Sequence, residues 1–355
     1  MPVKVLIVDD SPTQRRLLAA QLACDRRLCV VGCAGDAAEA RQLIKALIPD
    51  VVTLDIEMPG LNGLEFLSRI MRLRPMPVVM LSGLTPKGSQ LAIEALSLGA
   101  VDCLEKSPEL MMAGYGHLAD RVFEAAHARP MPPLHAKPKP VADRPFCWNN
   151  HLVMIGASTG GVTALEELFA GFPKDGPPIV VAQHMPASYI TRFADRLDGL
   201  VRPKVCLGRP GQLVEPGHIY FAPGGDCSLG VRAGMGGAVR LLCSTGGDRL
   251  DPSPSVNAMF VSAVPMAKRV VAVLLSGMGR DGVTGMLALR KAGARCLVQA
   301  RESATIFGMP GAAIAAGAAE AALPLDALAA DILKQTCTAH KTGVSLVKPA
   351  GRAAL

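Results

Sequence analysis

Aromatic side chains are scarce: three Tyr, one Trp and nine Phe make up 4% of 355 residues. That leaves little to stack on nucleic-acid bases. The 37 basic residues outnumber the 30 acidic ones, for a formal charge of +7, but they are spread thinly and form no basic stripe. Together these shortages argue against a nucleic-acid partner. Long apolar runs are missing too. Half the residues are hydrophobic, yet 36 Gly and 28 Pro interrupt them, and no stretch reaches the roughly 18 apolar residues of a membrane helix. The Ala-rich run from Gly311 to Leu323 contains Glu320 and mostly small side chains. Near the start, only Val5 to Val8 separate Lys4 from Asp9 and Asp10, too short a run for a secretory leader. The expected location is the cytoplasm, with no membrane insertion. The ten cysteines include no Cys-x-x-Cys pair. Cys24, Cys29 and Cys33 lie close together without a nearby His, so small buried thiols are expected rather than disulfides or a metal site.

The length suggests two domains, at roughly 150 residues each. Between Arg129 and Pro145 stand six prolines, at 130, 132, 133, 138, 140 and 145, interleaved with Lys137, Lys139 and Arg144. Such a segment forms neither helix nor central strand and reads as an extended, semi-rigid linker. On both sides, short β-branched runs alternate with helical periodicity, the pattern of α/β domains with parallel sheets. The expected division is a first domain over 1–124, a linker over 125–150, a second domain over 151–339 and a frayed tail over 340–355.

In the first domain the apolar runs are Val5–Val8, Leu28–Val31, Val51–Leu54, Val78–Leu81 and Val101–Leu104. Between them Leu18 and Leu22, and Leu64, Leu67, Ile70 and Met71, recur at helical spacing. Asp9 and Asp10 close the first run, Asp55 the third and Ser82 the fourth, and Lys106 follows the fifth. In an open parallel sheet all carboxyl ends share one edge, so these residues converge. Three carboxylates in one place repel each other unless a cation joins them, and oxygen ligands of this kind suit Mg²⁺. Asp55 is then placed as a nucleophile toward a phosphoryl group, with Lys106 pairing the phosphate and Ser82 donating to it. Taken singly, each of these residues is ordinary, the acids as helix caps and the lysine as a solvated side chain.

The stretches VLIVDDSP, VVTLDIEMPGLNGLEFL, VVMLSGLT and GAVDCLEKSP resemble the receiver domain of bacterial response regulators over about residues 1–124. The resemblance implies a flavodoxin-like fold, phosphorylation at Asp55 from a histidine kinase, Mg²⁺ on Asp9, Asp10 and Asp55, and a switch through Ser82 and Lys106. Cys103 departs from the pattern, because receivers commonly carry an aromatic switch residue there.

In the second domain the run Leu152–Ile155 enters Gly156-Ala157-Ser158-Thr159-Gly160-Gly161 before a helical pattern. A glycine-rich turn at a helix start invites a dinucleotide reading. The Gly-x-Gly-x-x-Gly spacing is absent, however, and the next run, Ile179–Ala182, ends in Gln183-His184 where an acid should bind ribose. What the glycines permit is close approach to Ser158. His184 follows the second run, and Asp281 lies beyond a third, Val270–Leu275. A serine hydroxyl needs a base to take its proton, and the base needs a carboxylate to fix its tautomer; these three residues supply that set. The backbone N–H groups of Thr159, Gly160 and Met278 are candidates for the oxyanion hole.

The stretches IGASTGG, VVAQHMP, YFAPGG, PSVNAMF, LLSGMGRDG and FGMPGAA, in that order over about residues 151–320, resemble the catalytic domain of chemotaxis protein-glutamate methylesterases, the CheB family. The resemblance implies a doubly wound, Rossmann-like esterase domain with Ser158, His184 and Asp281 as its triad. It also implies hydrolysis of glutamate methyl esters on chemoreceptors, deamidation of glutamines there and no cofactor for the esterase step. Asn257 and Ser253 depart from the family pattern, and the expectation is that they alter substrate contacts. Two rival readings are an inert interaction module and a DNA-binding output domain, and the second lacks a helix-turn-helix pattern.

Overall fold

The computed structural model describes residues 1–58, 62–83, 85–106, 117–130, 145–225, 227–245 and 253–338. Most of the proline-rich segment lies outside them, as do the tail from residue 340 and Pro59, Gly60 and Leu61.

The first half alternates strictly: β1 (Val3–Val8), α1 (Pro12–Ala23), β2 (Leu28–Ala34), α2 (Ala37–Leu47), β3 (Val51–Asp55), α3 (Gly63–Leu73), β4 (Val78–Ser82), α4 (Pro86–Ser97), β5 (Asp102–Glu105) and α5 (His117–Ala126). Local chemistry starts the helices. Ser11, Asp36, Asn62 and Thr85 each stand at an N-cap and accept a backbone N–H of the first turn, as short polar side chains do there. Leu18 and Leu22 of α1 and Leu64, Leu67, Ile70 and Met71 of α3 are buried, as their spacing predicts. The strands form one parallel sheet in the order β2-β1-β3-β4-β5. Strands β3 and β4 are buried on both faces, which is why they read as continuous apolar runs instead of alternating ones.

The second half adds β6 (Leu152–Ala157), α6 (Gly161–Phe169), β7 (Ile179–Gln183), α7 (Ala187–Asp198), β8 (Lys204–Leu207) and β9 (His218–Phe221). Next come β10 (Cys227–Ala233), β11 (Val239–Thr245), α8 (Val256–Ser262), β12 (Val270–Leu274) and α9 (Val283–Lys291). The last elements are β13 (Arg295–Gln299), α10 (Gly308–Ala315), β14 (Ala321–Leu323) and α11 (Leu325–Thr336). Seven strands form a parallel sheet in the order β14-β13-β12-β6-β7-β9-β8. The chain winds outward from β6 in both directions, so the switch point, where such sheets bind their ligands, lies between β6 and β12.

Strands β10 and β11 pair antiparallel in a separate hairpin, an addition to the two parallel sheets. Leu229, Val231 and Leu241, which share one face, are buried, while Ser228, Arg232 and Leu242 on the other face are not, so the hairpin covers the core mainly with one face. Its register sets Cys227 and Cys243 diagonally, 5.7 Å apart at Cα, and a disulfide joins them, a pairing that the cysteine spacing does not predict. The grouped cysteines differ from expectation as well. Cys24 and Cys29 are exposed and Cys33 is half-buried, because they sit at the end of α1 and along the edge strand β2.

The two halves pack closely. Helix α4 lies against α6 and α7, and Ile93 and Leu96 share a buried apolar cluster with Val162, Leu165 and Tyr189. On the other side of β5, Ile306 and Met278 pack with Leu118 and Val122 of α5. Backbone bonds anchor the chain on both sides of the proline-rich segment, from Arg129 N to Thr305 O at 2.9 Å and from Asn149 N to Thr336 O at 3.1 Å. Among the described residues no helix is long and apolar enough to cross a membrane.

Candidate active site and phosphoacceptor pocket

Strands β12, β6 and β7 are neighbours, and their carboxyl ends bring Asp281, Ser158 and His184 to one edge. Ser158 is 3% exposed and sits on the turn into α6. Gly160 ends that turn in the left-handed region at φ 79°, a conformation costly for any side chain with a Cβ. Close packing fixes Ser158. A Cβ on Gly277 would fall 2.6 Å from the Cβ of Ser158 and 2.4 Å from the sulfur of Met309. The backbone N–H of Ser158 donates to Ser276 O at 3.0 Å, and the Ser276 hydroxyl donates to Thr159 O at 2.7 Å.

His184 Nε2 lies 2.8 Å from Asp281 Oδ2. A carboxylate accepting at Nε2 leaves Nδ1 as the nitrogen with a free lone pair. The carboxylate is held from behind by backbone N–H groups: Val256 at 2.7 Å, Asn257 at 2.9 Å and Gly282 at 2.8 Å. Burial opposes its charge, but the His184 contact and the Val256 and Asn257 N–H bonds outweigh that and hold its pKa below the ordinary carboxylate value. Among the described residues Ser158 Oγ makes no hydrogen bond to His184. Such bonds often tighten only once substrate is in place. The N–H groups of Thr159, Gly160 and Met278 likewise donate to no described acceptor.

Asn257 acts behind the carboxylate. Its backbone N–H reaches Asp281, and its side-chain oxygen accepts from Gly285 N at 2.6 Å, which ties α8 to α9. Asn257 thus lies behind Asp281 and is not among the residues that line the cleft. Ser253, by contrast, lines the cleft, and its hydroxyl donates to Gly225 O.

Sequence reasoning passed over Gln183, which is 1% exposed. Its amide donates to Ser158 O at 2.8 Å and to His184 O at 3.2 Å, stitching the nucleophile's turn to the base's. The signal was present, since a buried amide at a strand end must find partners, but the partners lie on another loop. It also passed over Ser255, whose hydroxyl caps α8 by accepting from Ala258 N at 3.1 Å and so orients the N–H groups that grip Asp281.

The second expected cluster is assembled as well. One ligand oxygen each from Asp9, Asp10 and Asp55 lies within 4.8 Å of the others. Lys106 Nζ bridges Asp9 at 2.8 Å and Asp55 at 2.9 Å. Burial alone would lower its pKa, but these carboxylates raise it above the ordinary lysine value. Burial raises the Asp55 pKa, with Lys106 offsetting only part of the effect. A Cβ on Gly63 would fall 2.0 Å from Asp55 O, so only glycine lets α3 start this close to the acid. Ser82 closes β4 with 0% exposure, but its hydroxyl faces the other domain and lies 2.6 Å from the Tyr189 hydroxyl.

Ser158, His184 and the Met278 loop open into a cleft of about 1010 Å³ whose opposite wall is the first domain, with Leu96, Cys103, Glu105 and Arg121. Another hollow, of about 770 Å³, lies at the amino ends of β7 to β9 and is lined by Lys174, Lys204 and His218, with no Ser, Thr or Cys among its lining residues.

Two family models match the chain, "CheB methylesterase" over residues 153–332 and "Response regulator receiver domain" over residues 5–112. The chain is similar to the protein-glutamate methylesterase/protein-glutamine glutaminase of Rhizobium etli, at 46% identity over 96% of this chain and 99% of that one. It is 45% identical to the protein-glutamate methylesterase/protein-glutamine glutaminase 1 of Caulobacter vibrioides, over 93% of this chain and 97% of that one. The crystal structure of the Thermotoga maritima CheB methylesterase catalytic domain superposes with a TM-score of 0.50 and 32% identity, covering 52% of this chain and 97% of its own.

Proposed function

Because the chain belongs to the CheB methylesterase family and carries a receiver domain ahead of the catalytic one, we propose that it is a phosphorylation-regulated esterase of chemotaxis adaptation. It hydrolyses glutamate methyl esters on methyl-accepting chemoreceptors in the cytoplasm and deamidates glutamines there. The observation that carries the reading is the 2.8 Å contact between His184 and an Asp281 already gripped by three backbone N–H groups, beside Ser158. The domain limits that go with it are 1–124, 125–150, 151–339 and 340–355.

In the first half of the reaction Ser158 Oγ attacks the ester carbonyl while His184 takes its proton, and Asp281 steadies the imidazolium. The negative oxygen of the tetrahedral adduct lies against the N–H groups of Thr159, Gly160 and Met278. The adduct then expels methoxide, which takes the proton from His184 and leaves as methanol. In the second half His184 removes a proton from water, the resulting hydroxide attacks the acyl-serine, and the glutamate carboxylate leaves as Ser158 recovers its proton. With a glutamine substrate the leaving group is ammonia.

Asp55 is the phosphoacceptor, supplied by the chemotaxis histidine kinase. Asp9, Asp10 and Asp55 present the oxygen donors that Mg²⁺ takes, and the bound ion would offset the clustered negative charge of carboxylate and phosphoryl group. Lys106 pairs with the same carboxylates. Because the first domain forms one wall of the cleft, the resting chain restricts access to Ser158, and a change at Asp55 that loosens this packing raises activity. The test is methanol release from methylated receptor membranes. Wild type should release methanol and Ser158→Ala should not; an equal rate from both would exclude the mechanism.

A further inference from the structure

Helix α7 starts three residues after His184, and its Tyr189 is 1% exposed despite carrying a hydroxyl. That hydroxyl lies 2.6 Å from Ser82 Oγ, in a buried pair that joins the two domains. The Ser82 hydroxyl also reaches Gly83 O, at 3.4 Å. The Cys103 thiol lies against both hydroxyls. Burial pushes the Tyr189 phenol and the Cys103 thiol well above their ordinary pKa values, so the cluster is neutral and fully protonated. Cys103 is short, and the Tyr189 ring of the esterase domain sits beside it at β5. Farther out, the Ser188 hydroxyl donates to Glu105 at 2.9 Å, and the Ser97 hydroxyl donates at 2.9 Å to Glu166, which Arg196 also holds.

Ser82 stands one residue past Leu81, the cross-strand neighbour of Asp55. Either hydroxyl can be the donor in the Ser82–Tyr189 pair, but Ser82 Oγ stays within reach of Tyr189 only while its side chain faces the esterase domain, so a turn toward an oxygen on Asp55 gives up the contact. A phosphoryl oxygen is charged and therefore the stronger acceptor. Once Ser82 turns to it, the buried Tyr189 hydroxyl loses its oxygen partner and keeps only the weak Cys103 thiol, an arrangement more costly than exposing the hydroxyl to water. Withdrawal of α7 from the receiver relieves this, and the same movement opens the cleft over Ser158.

We infer that Tyr189 of the esterase domain is the residue that reads the receiver: its bond to Ser82 latches the closed cleft, and phosphorylation of Asp55 releases the latch by claiming the Ser82 hydroxyl. The inference rests on the reading that phosphorylation of Asp55 controls the esterase. It is tested with full-length protein and methylated receptor membranes, by following methanol release with and without acetyl phosphate and Mg²⁺. Tyr189→Phe keeps the ring and loses only the hydroxyl. It should raise the unphosphorylated rate by about two- to tenfold, the range for one neutral hydrogen bond, and leave the phosphorylated rate at the wild-type value. Ser82→Ala should raise the unphosphorylated rate similarly, and the double variant no further than either single one, because all three remove the same bond. An unphosphorylated rate of Tyr189→Phe equal to wild type overturns the latch, and so do single effects that multiply in the double variant. If wild type gains nothing from the phosphodonor, the phosphorylation reading fails instead, and a faster unphosphorylated Tyr189→Phe still supports the latch.

Discussion

Asp55 and Asp281 stand at the carboxyl edges of two parallel sheets, both largely out of water, yet they are held in opposite electrostatic states. Burial raises the Asp55 pKa, and Lys106 offsets only part of it. Burial also opposes the charge of Asp281, but His184 and the N–H groups of Val256 and Asn257 overcome it and lower the pKa. One pocket gathers carboxylates faster than it neutralises them, which suits the cation and phosphoryl group proposed for it. In the other the carboxylate is already satisfied as folded, by His184 and three backbone N–H groups. On the proposed reading, the same edge of the same kind of sheet serves an acceptor in one domain and a proton-transfer system in the other, and the difference lies in what stands behind each acid.

The sharpest way to test the contrast is to remove chemistry from the Asp281 site. Ser158→Ala should cut methanol release by about six orders of magnitude, the scale seen when a serine hydrolase loses its nucleophile, with an unchanged melting temperature. Asp281→Asn should cost about four orders of magnitude by leaving His184 in the wrong tautomer. A loss below tenfold would mean that the backbone grip on Asp281 is merely structural. In the acceptor site Asp55→Asn should leave the unphosphorylated rate intact and abolish the response to phosphodonor, as followed by methanol release and by mass spectrometry of the added phosphoryl group. Gly63→Ala should impair the same response, since its Cβ would collide with Asp55 O, an overpacking that costs about 1–3 kcal/mol.

The smallest effects are the most direct readout of the comparison. The folded pKa of Asp281 lies below the ordinary 3.8, so its stabilising contribution is present in full above that value and is lost as pH falls through the folded pKa. Asp281→Asn should therefore lower the melting temperature at pH 7 by about 2 °C or more, with the difference from wild type shrinking in acid. Asp55 has the opposite sign. Its folded pKa lies above 3.8, so protonation favours the folded chain, and in magnesium-free buffer Asp55→Asn should melt slightly above wild type at pH 7 and equal to it in acid. Shifts of the same sign in both variants would remove the contrast.

Much of this arrangement is legible in the sequence, because a parallel strand, its exit turn and the following helix are local events. Asp9, Asp55, Ser158 and His184 all follow apolar runs directly, and sheet topology alone brings them together. What stayed hidden depends on distant pairing. The β10–β11 hairpin is apolar mainly on one face, and its disulfide follows from register. The grip of Val256 on Asp281 spans 25 residues, and the contact of Ser82 with Tyr189 spans 107. Cys103 looked like a defect in a receiver motif, but the neighbouring ring belongs to the other domain.

The apolar cluster that runs from Ile93 and Leu96 into Val162 and Leu165 also bears on how the chain denatures. Neither domain can expose that surface without the other, so in calorimetry the resting protein should lose both in a single endotherm whose van't Hoff and calorimetric enthalpies agree. Phosphorylated protein should separate into two transitions, the receiver melting independently of the esterase. Signalling in this chain would then be a loss of thermal cooperativity between two folded units that share one core.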